Sequence, residues 1–216
     1  MRVRLISYSQ SQSPAPDENI QDLIAFAARV SNPSNQNNKE TSEKLIKYLI
    51  KNKHWSPLEM VSACLEIETT RDIARQILRH RSFSFQEFSQ RYADPTEDLE
   101  FITREARLQD KKNRQNSIEV DDPKLQADWE TLQDMVIEDA QAAYQWAISK
   151  GIAKEQARAV LPEGLTLSRM YMNGTLRSWV HYIELRTANG TQREHMEVAE
   201  ACAEEIAEIF PLLKEI

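Results

Sequence analysis

The chain of 216 residues carries 27 Lys and Arg against 34 Asp and Glu, a net charge of -7, with 41% hydrophobic and 28% charged residues. That is the composition of a soluble globular protein with one sizeable core, and residues 1–216 read as a single domain. The acidic balance argues against a general nucleic-acid binder, whose affinity rests on neutralising phosphates. The start, MRVRLISYSQ, has no apolar stretch long enough for a signal peptide, and no segment approaches membrane-spanning length. Cys64 and Cys202 are too few for a disulfide framework or a thiolate metal site, and His54, His80, His181 and His195 are scattered without an HExxH spacing. The expectation is a cytoplasmic protein with no metal and with no nucleic-acid or membrane partner.

In chain order, Val3 and Leu5 alternate with Arg2 and Arg4 as a first strand over residues 2–8. Leu23, Ile24, Ala27 and Ala28 give a helix over 20–31, and Leu45 to Leu49 resume one after a polar loop. Ser56-Pro57-Leu58-Glu59 has the form of a capping box with proline at the first helical position. Val61 to Ile67 alternates as a half-buried strand. Thr69 or Thr70 then caps a helix ending near Arg81, with Ile73, Ala74, Ile77 and Leu78 inward and Asp72, Arg75, Gln76 and Arg79 on the opposite face.

Phe83 to Tyr92 reads as an extended return and Leu99 to Leu108 as another strand-like stretch. Residues 109–121 read as a mobile surface loop. Asp122-Pro123 starts the longest helix, which runs to Gly151 with Leu125, Trp129, Leu132, Val136, Ala140, Ala143 and Ala147 as its apolar stripe. A short helix from Ala153 holds Arg158 and stops before Pro162. Leu165 to Met172 is a strand, Thr175 to Thr187 a helix, and Gln192 to Phe210 a last helix with Met196, Ala199, Ala203, Ile206 and Phe210 inward. Mixed strands and helices without strict βαβ alternation favour an α/β (α+β) single domain.

Function is most legible in RHRSFSFQEFSQR, residues 79–91, where cations and short hydroxyl donors gather in an acidic chain. That combination suits a phosphorylated small molecule. The spacing R-H-R-x2-S-x4-S-x-R is filled by Arg79, His80, Arg81, Ser84, Ser89 and Arg91. A chance match is expected in on the order of one chain in several hundred thousand. This is the signature of the flavin-dependent thymidylate synthases, which the chain resembles. Upstream, His54-Trp55-Ser56-Pro57-Leu58-Glu59 matches the family's His-x-Ser/Thr-x-x-Glu, and Gln76 precedes the signature as expected. Downstream, Ala157-Arg158-Ala159-Val160-Leu161-Pro162 and the run from Arg177 through Trp179 and His181 to Arg186 also match. Met60, Gln86 and Thr175 stand where many members have His, Asn and Asn.

The resemblance implies a central, mostly antiparallel sheet flanked by helices and a homotetramer with active sites at subunit junctions. It implies reductive methylation of dUMP to dTMP, with methylenetetrahydrofolate supplying carbon and NADPH reducing a bound FAD. Gln76, Arg79, Glu87, Ser89, Arg91, Arg158 and Arg186 would hold dUMP. Ser56, Arg79, His80, Arg81, Glu87, Thr175, Arg177 and His181 would contact FAD. Arg186 and Ser89 would be the catalytic pair, Arg186 favouring ionisation of the uracil and Ser89 serving as a dUMP ligand, not a nucleophile. His54 would lie on the folate side, although a structural role beside the capping box is equally consistent. Without a GxGxxG or P-loop pattern, NADPH would bind outside any Rossmann crossover.

The residues add their own constraints. Arg177, His181 and Glu184 fall on one flank of the 175–187 helix, and Tyr182 and Arg186 on the other. Cys64 and Cys202 sit among apolar and acidic neighbours, which argues against the thiolate attack of the other thymidylate synthase class. Arg71 reads as structural, Ser84 as a turn residue and His195 as an exposed helix residue. Trp129, Met135 and Trp146 read as core or subunit packing, and Glu204, Glu205 and Glu208 as a solvated face. The competing class is a non-catalytic nucleotide or RNA binder using the same basic stretch. It predicts a colourless protein.

Overall fold

The computed structural model describes residues 1–12, 14, 15 and 19–215. β1 (Arg2–Tyr8) leads to α1 (Ile20–Ala28) and α2 (Ser42–Lys51), and β2 (Ser62–Thr70) runs straight into α3 (Arg71–Ile77). β3 (Ser84–Glu87), the one-turn α4 (Pro95–Asp98), and the short strands β4 (Arg107–Gln109) and β5 (Ser117–Glu119) follow. Then come the long α5 (Pro123–Ser149), the short α6 (Lys154–Ala157), β6 (Leu167–Thr175), α7 (Leu176–Arg186) and α8 (Arg193–Ile209). The main sheet has the order β1-β2-β6-β3 and is antiparallel throughout. Among the described residues no helix is long and apolar enough to cross a membrane.

Strand alternation gives the sheet two unlike faces. Ala63, Leu65 and Ile67 of β2, with Met170 and Met172 of β6, are buried in one cluster with Ile24, Ile46, Ile73, Trp179, Val198 and Ile206 from the helices. The opposite face is polar: Arg4 pairs with Glu66 at 3.0 Å, Arg169 pairs with Glu68, and Tyr171 is exposed. Glu205, read as solvated, instead accepts from the Leu5 backbone N–H at 2.6 Å and ties α8 to the edge strand. The ladder from Ser62↔Thr175 to Thr70↔Leu167 has a topological consequence. Two strand-to-helix units, β2–α3 and β6–α7, point in opposite directions and share one face.

Several expectations change. The helix before the signature stops at Ile77; Arg79 and His80 lie in a turn, their N–H groups bonded to Gln76 and Ile77 carbonyls. The Thr70 hydroxyl bonds the Asp72 carboxylate at 2.6 Å and does not cap the helix backbone. Ser56 lies inside a 3-10 turn over Ser56–Met60 with no side-chain cap, because Glu59 turns away to pair with Arg177. Of residues 99–108, only a Phe101↔Thr166 bridge and the start of β4 are extended. The polar stretch 109–121 is no irregular loop. It completes a β4–β5 hairpin, whose turn is fixed by Asp110 Oδ1 accepting from the N–H groups of Lys112 and Asn113.

α5 departs most. Asp122 caps it as expected, accepting from Lys124 and Leu125 N–H groups. Its buried residues, however, are Gln133, Ala140, Tyr144 and Ala147, whereas Leu125, Trp129, Leu132, Met135, Val136 and Trp146 are all exposed. The predicted stripe is real, but most of it faces away from this chain's own core.

Gly174 shows how closely the signature loop is seated. A Cβ there would fall 2.4 Å from the Phe83 ring, which also packs edge-on against Trp179 with centroids 4.8 Å apart. Gly174→Ala is therefore expected to cost about 1–3 kcal/mol by overpacking, read as a lower urea midpoint with unchanged slope.

Candidate active site

The C-terminal ends of α3 and α7 meet on the helical side of the sheet. There Arg186 Nε donates to His80 Nε2 at 2.9 Å, and the His80 ring stands edge-on to Tyr182 with centroids 4.9 Å apart. Nε2 acting as acceptor means that the His80 proton sits on Nδ1. Burial first, then the charges of Arg186 and Arg79, lower the His80 pKa to about 4. With Nε spent on His80, the terminal N–H groups of Arg186 remain for an anion.

Gln76 belongs to the same end. Its amide reaches Gln192 at 2.8 Å and His195 Nδ1 at 3.1 Å. His195 is fully buried, contrary to the surface role read from sequence. The missed signal was its register: His195, Val198, Cys202 and Ile206 share the buried stripe of α8. Burial, followed by Arg186 and His80, lowers the His195 pKa to about 3. Both imidazoles refuse protons that the unfolded chain accepts below about pH 6.5. Their stability contribution is complete above that pH and shrinks as pH falls from about 6.5 toward 4. The urea midpoint is expected to be lower near pH 5 than near neutrality.

A second group gathers at the N-terminal end of α3. Strand alternation turns Phe85 and Glu87 toward the helices and Ser84 and Gln86 to the open face. Ser84 is thus a strand residue. The Glu87 carboxylate accepts from Ser168 at 2.9 Å and lies 3.6 Å from Arg71 and 3.8 Å from Arg75. Arg71 is buried and also faces Glu163, which fits its structural reading. Ser89 Oγ accepts from the Arg91 N–H, Arg91 pairs with Glu155 at 3.3 Å, and Arg158 Nε donates to the Glu155 carbonyl. Gln90 Nε2, between Ser89 and Arg91 in the chain, is buried without a hydrogen-bond partner.

The third group surrounds the start of α7. Thr175 is the N-cap and accepts from the Ser178 N–H, while the Ser178 hydroxyl donates to the Ser82 carbonyl. Arg177 pairs with Glu59 of the Ser56 turn, and the His181 ring lies 4.5 Å from that of Trp55. His54 is exposed beside Tyr48. The helix thus sends Arg177 and His181 one way and Tyr182 and Arg186 another.

Most arginines of the chain are paired with carboxylates, including Arg91 and Arg177 of the candidate site. Arg4, Arg71, Arg75, Arg104, Arg107, Arg169 and Arg193 all have carboxylate partners. Among the described residues Arg79, Arg81, Arg158 and Arg186 of the site have none, as Arg2, Arg29 and Arg114 elsewhere have none, although the chain is acidic. Unpaired guanidinium groups, with the orphaned Gln90 amide, are a donor set suited to phosphates and to a uracil anion. Neither thiol is activated: burial raises the pKa of Cys64, and burial and then Glu205 raise that of buried Cys202. No cluster of three His, Cys, Asp or Glu among the described residues could hold a metal ion.

The chain is similar to known proteins over most of its length. The sequence profile of the family described as thymidylate synthase complementing protein matches residues 4–212. A probable flavin-dependent thymidylate synthase of Paramecium bursaria Chlorella virus 1 is 52% identical over 191 residues, covering 88% of this chain and 87% of the relative. A flavin-dependent thymidylate synthase of Synechocystis is 46% identical over 213 residues, covering 98% and 96%. The crystal structure of the UMP/dUMP methylase PolB from Streptomyces cacaoi, bound with 5-Br dUMP, superposes with a TM-score of 0.82 at 27% identity, covering 99% of this chain and 93% of that one.

Fold and site therefore define an α/β methyltransferase of nucleotide biosynthesis that works with a flavin. The chain belongs to the flavin-dependent thymidylate synthase family, whose reaction is the methylation of dUMP to dTMP.

Proposed function

We propose that the unpaired arginines carry this reaction, holding dUMP and FAD, with methylenetetrahydrofolate as carbon donor and NADPH as reductant. Residues 1–216 act as one catalytic domain in the cytoplasm. The carrying observation is that Arg79, Arg81, Arg158 and Arg186 lack carboxylate partners among the described residues of a chain of net charge -7. Gln76, Arg79, Ser89, Arg91, Arg158 and Arg186 hold dUMP. Arg186 favours the ionised uracil through its free terminal N–H groups. Ser89 orients the nucleotide and does not attack it. Glu87 contributes by fixing Arg71 and Arg75, which line the approach to the nucleotide, and its backbone remains available to either ligand.

Bound FAD supplies the redox chemistry that no side chain here can provide. Arg79 and Arg81 would hold its phosphates, with His80 beside them and Ser56, Thr175, Arg177 and His181 on the other flank of α7. Neutral His80 keeps Arg186 in place without adding a competing charge.

The working unit is a homotetramer with active sites at subunit junctions. Two observations support this. Gln76, Arg79 and Arg186 lie at one end of α3 and Ser89, Arg91 and Arg158 at the other, about 10 Å apart along a seven-residue helix. The exposed stripe of α5 lies on the helix that packs against the Arg158 turn through Tyr144, Ala147, Ala157 and Leu161. A second copy covering that stripe would lie along the same helix that supports the Arg158 turn.

The test is direct. The purified protein is expected to be yellow, to bleach anaerobically with NADPH and to bind dUMP. A colourless protein that cannot be reconstituted with FAD would overturn the reading in favour of a non-catalytic nucleotide binder.

A further inference from the structure

Behind the arginine wall, five side chains form a hydrogen-bond chain whose direction can be worked out from one end. Glu194 is paired with Arg107. Burial opposes its charge, but the Gln192 amide, a backbone N–H and the Arg107 and Arg104 cations together hold its pKa below the usual value. It is an ionised carboxylate and accepts only. Gln192 must therefore turn Nε2 toward it, at 2.9 Å, which leaves Gln192 Oε1 facing Gln76 Nε2 at 2.8 Å. Gln76 Oε1 then faces His195 Nδ1 at 3.1 Å, and Nδ1 has to be the donor. The remaining ring nitrogen, Nε2, accepts from the Tyr182 hydroxyl at 3.2 Å. Every proton points the same way, from Tyr182 toward Glu194.

We propose that His195, with Gln192 and Glu194, is a positioning device that locks the Gln76 amide in one orientation and so fixes the hydrogen it offers to dUMP. Gln76 has two donor hydrogens and one carbonyl oxygen. Gln192 takes one hydrogen and His195 occupies a lone pair of the oxygen, so a single Nε2 hydrogen remains for an anionic or carbonyl ligand. A flipped amide would set oxygen against the Gln192 oxygen and N–H against the His195 N–H, breaking two partly buried bonds at once. The same chain steadies Tyr182, whose ring supports His80 and through it Arg186. The inference rests on the proposed role of Gln76 at dUMP.

Two readouts on the intact flavin-loaded protein test it. In 15N-histidine-labelled protein, His195 is expected to show the Nδ1–H tautomer. Glu194→Gln, at the outer end, removes the acceptor-only anchor while keeping shape. It is expected to mix the His195 tautomers and to weaken dUMP binding about five- to tenfold, with flavin content unchanged; loss of the Arg107 pair lowers the melting temperature, so binding is read well below it. His195→Asn, which keeps a donor near the Nδ1 position, is expected to bind dUMP more tightly than His195→Leu. An Nε2–H tautomer in the unmutated protein, or dUMP affinity within about twofold in Glu194→Gln, would overturn the relay. If the unmutated protein shows the Nδ1–H tautomer but binds no dUMP, it is the site reading that falls, and the relay's role at dUMP with it.

Discussion

Replacing Arg186 with alanine is expected to lower kcat/KM for dUMP about 10²- to 10³-fold while the purified protein keeps its flavin. The size follows from removing a preorganised cation aimed at a developing negative charge, a loss of about 3–4 kcal/mol. Selectivity follows from geometry. Arg186 is on the flank of α7 that faces His80 and Tyr182, whereas Arg177 and His181 leave the opposite flank toward Glu59 and Trp55. Removing one flank leaves the other standing. Steady-state kinetics against dUMP and the ratio of flavin to protein absorbance check it together. Equal loss of flavin and turnover would mean that the two flanks serve one ligand.

The second large effect lies far from the signature. Trp129→Asp is expected to dissociate the proposed homotetramer and reduce dTMP formation at least tenfold without unfolding the chain. Trp129 is 42% exposed and sits with Leu125, Leu132 and Val136 along α5, a stripe that the described residues leave exposed. A buried tryptophan at a subunit contact is worth about 2 kcal/mol or more, and a desolvated aspartate in its place adds a further cost. Because the α5 body supports the Arg158 turn, losing the neighbour empties one side of the proposed junction. Sedimentation with far-UV circular dichroism reads assembly and folding separately. A variant that stays assembled and fully active would show that this stripe serves neither assembly nor site.

Alternation and helical spacing were sufficient to place β1, β2, β6, α7 and α8, because each has one apolar face against one core. The signature spacing was legible for the same reason: Arg79 to Arg91 is a continuous stretch read by composition. What was not legible depends on neighbours distant in sequence. His195 was misread because its partners, Gln76 and Tyr182, come from two other helices. The α5 stripe was readable as apolar, but which way it faced was not, since Gln133, Ala140, Tyr144 and Ala147 offer a rival face. The hairpin within 107–119 escaped because an Asx turn and two three-residue strands carry no hydrophobic period. The carboxylate of Glu87 is already engaged by Ser168, Arg71 and Arg75, a commitment made across the sheet and invisible in the signature.

In the proposed reaction arginines and a flavin, with no protein nucleophile, convert dUMP to dTMP. Cys64 is half-buried and Cys202 fully buried, and burial raises the pKa of both thiols. The most direct measurement is dTMP formation by the flavin-loaded double variant Cys64→Ala/Cys202→Ala, supplied with dUMP, methylenetetrahydrofolate and NADPH. The variant is expected to form dTMP at a rate within a few-fold of the unmutated protein, since neither inert thiol takes part. A folded, yellow double variant that forms no dTMP would contradict it.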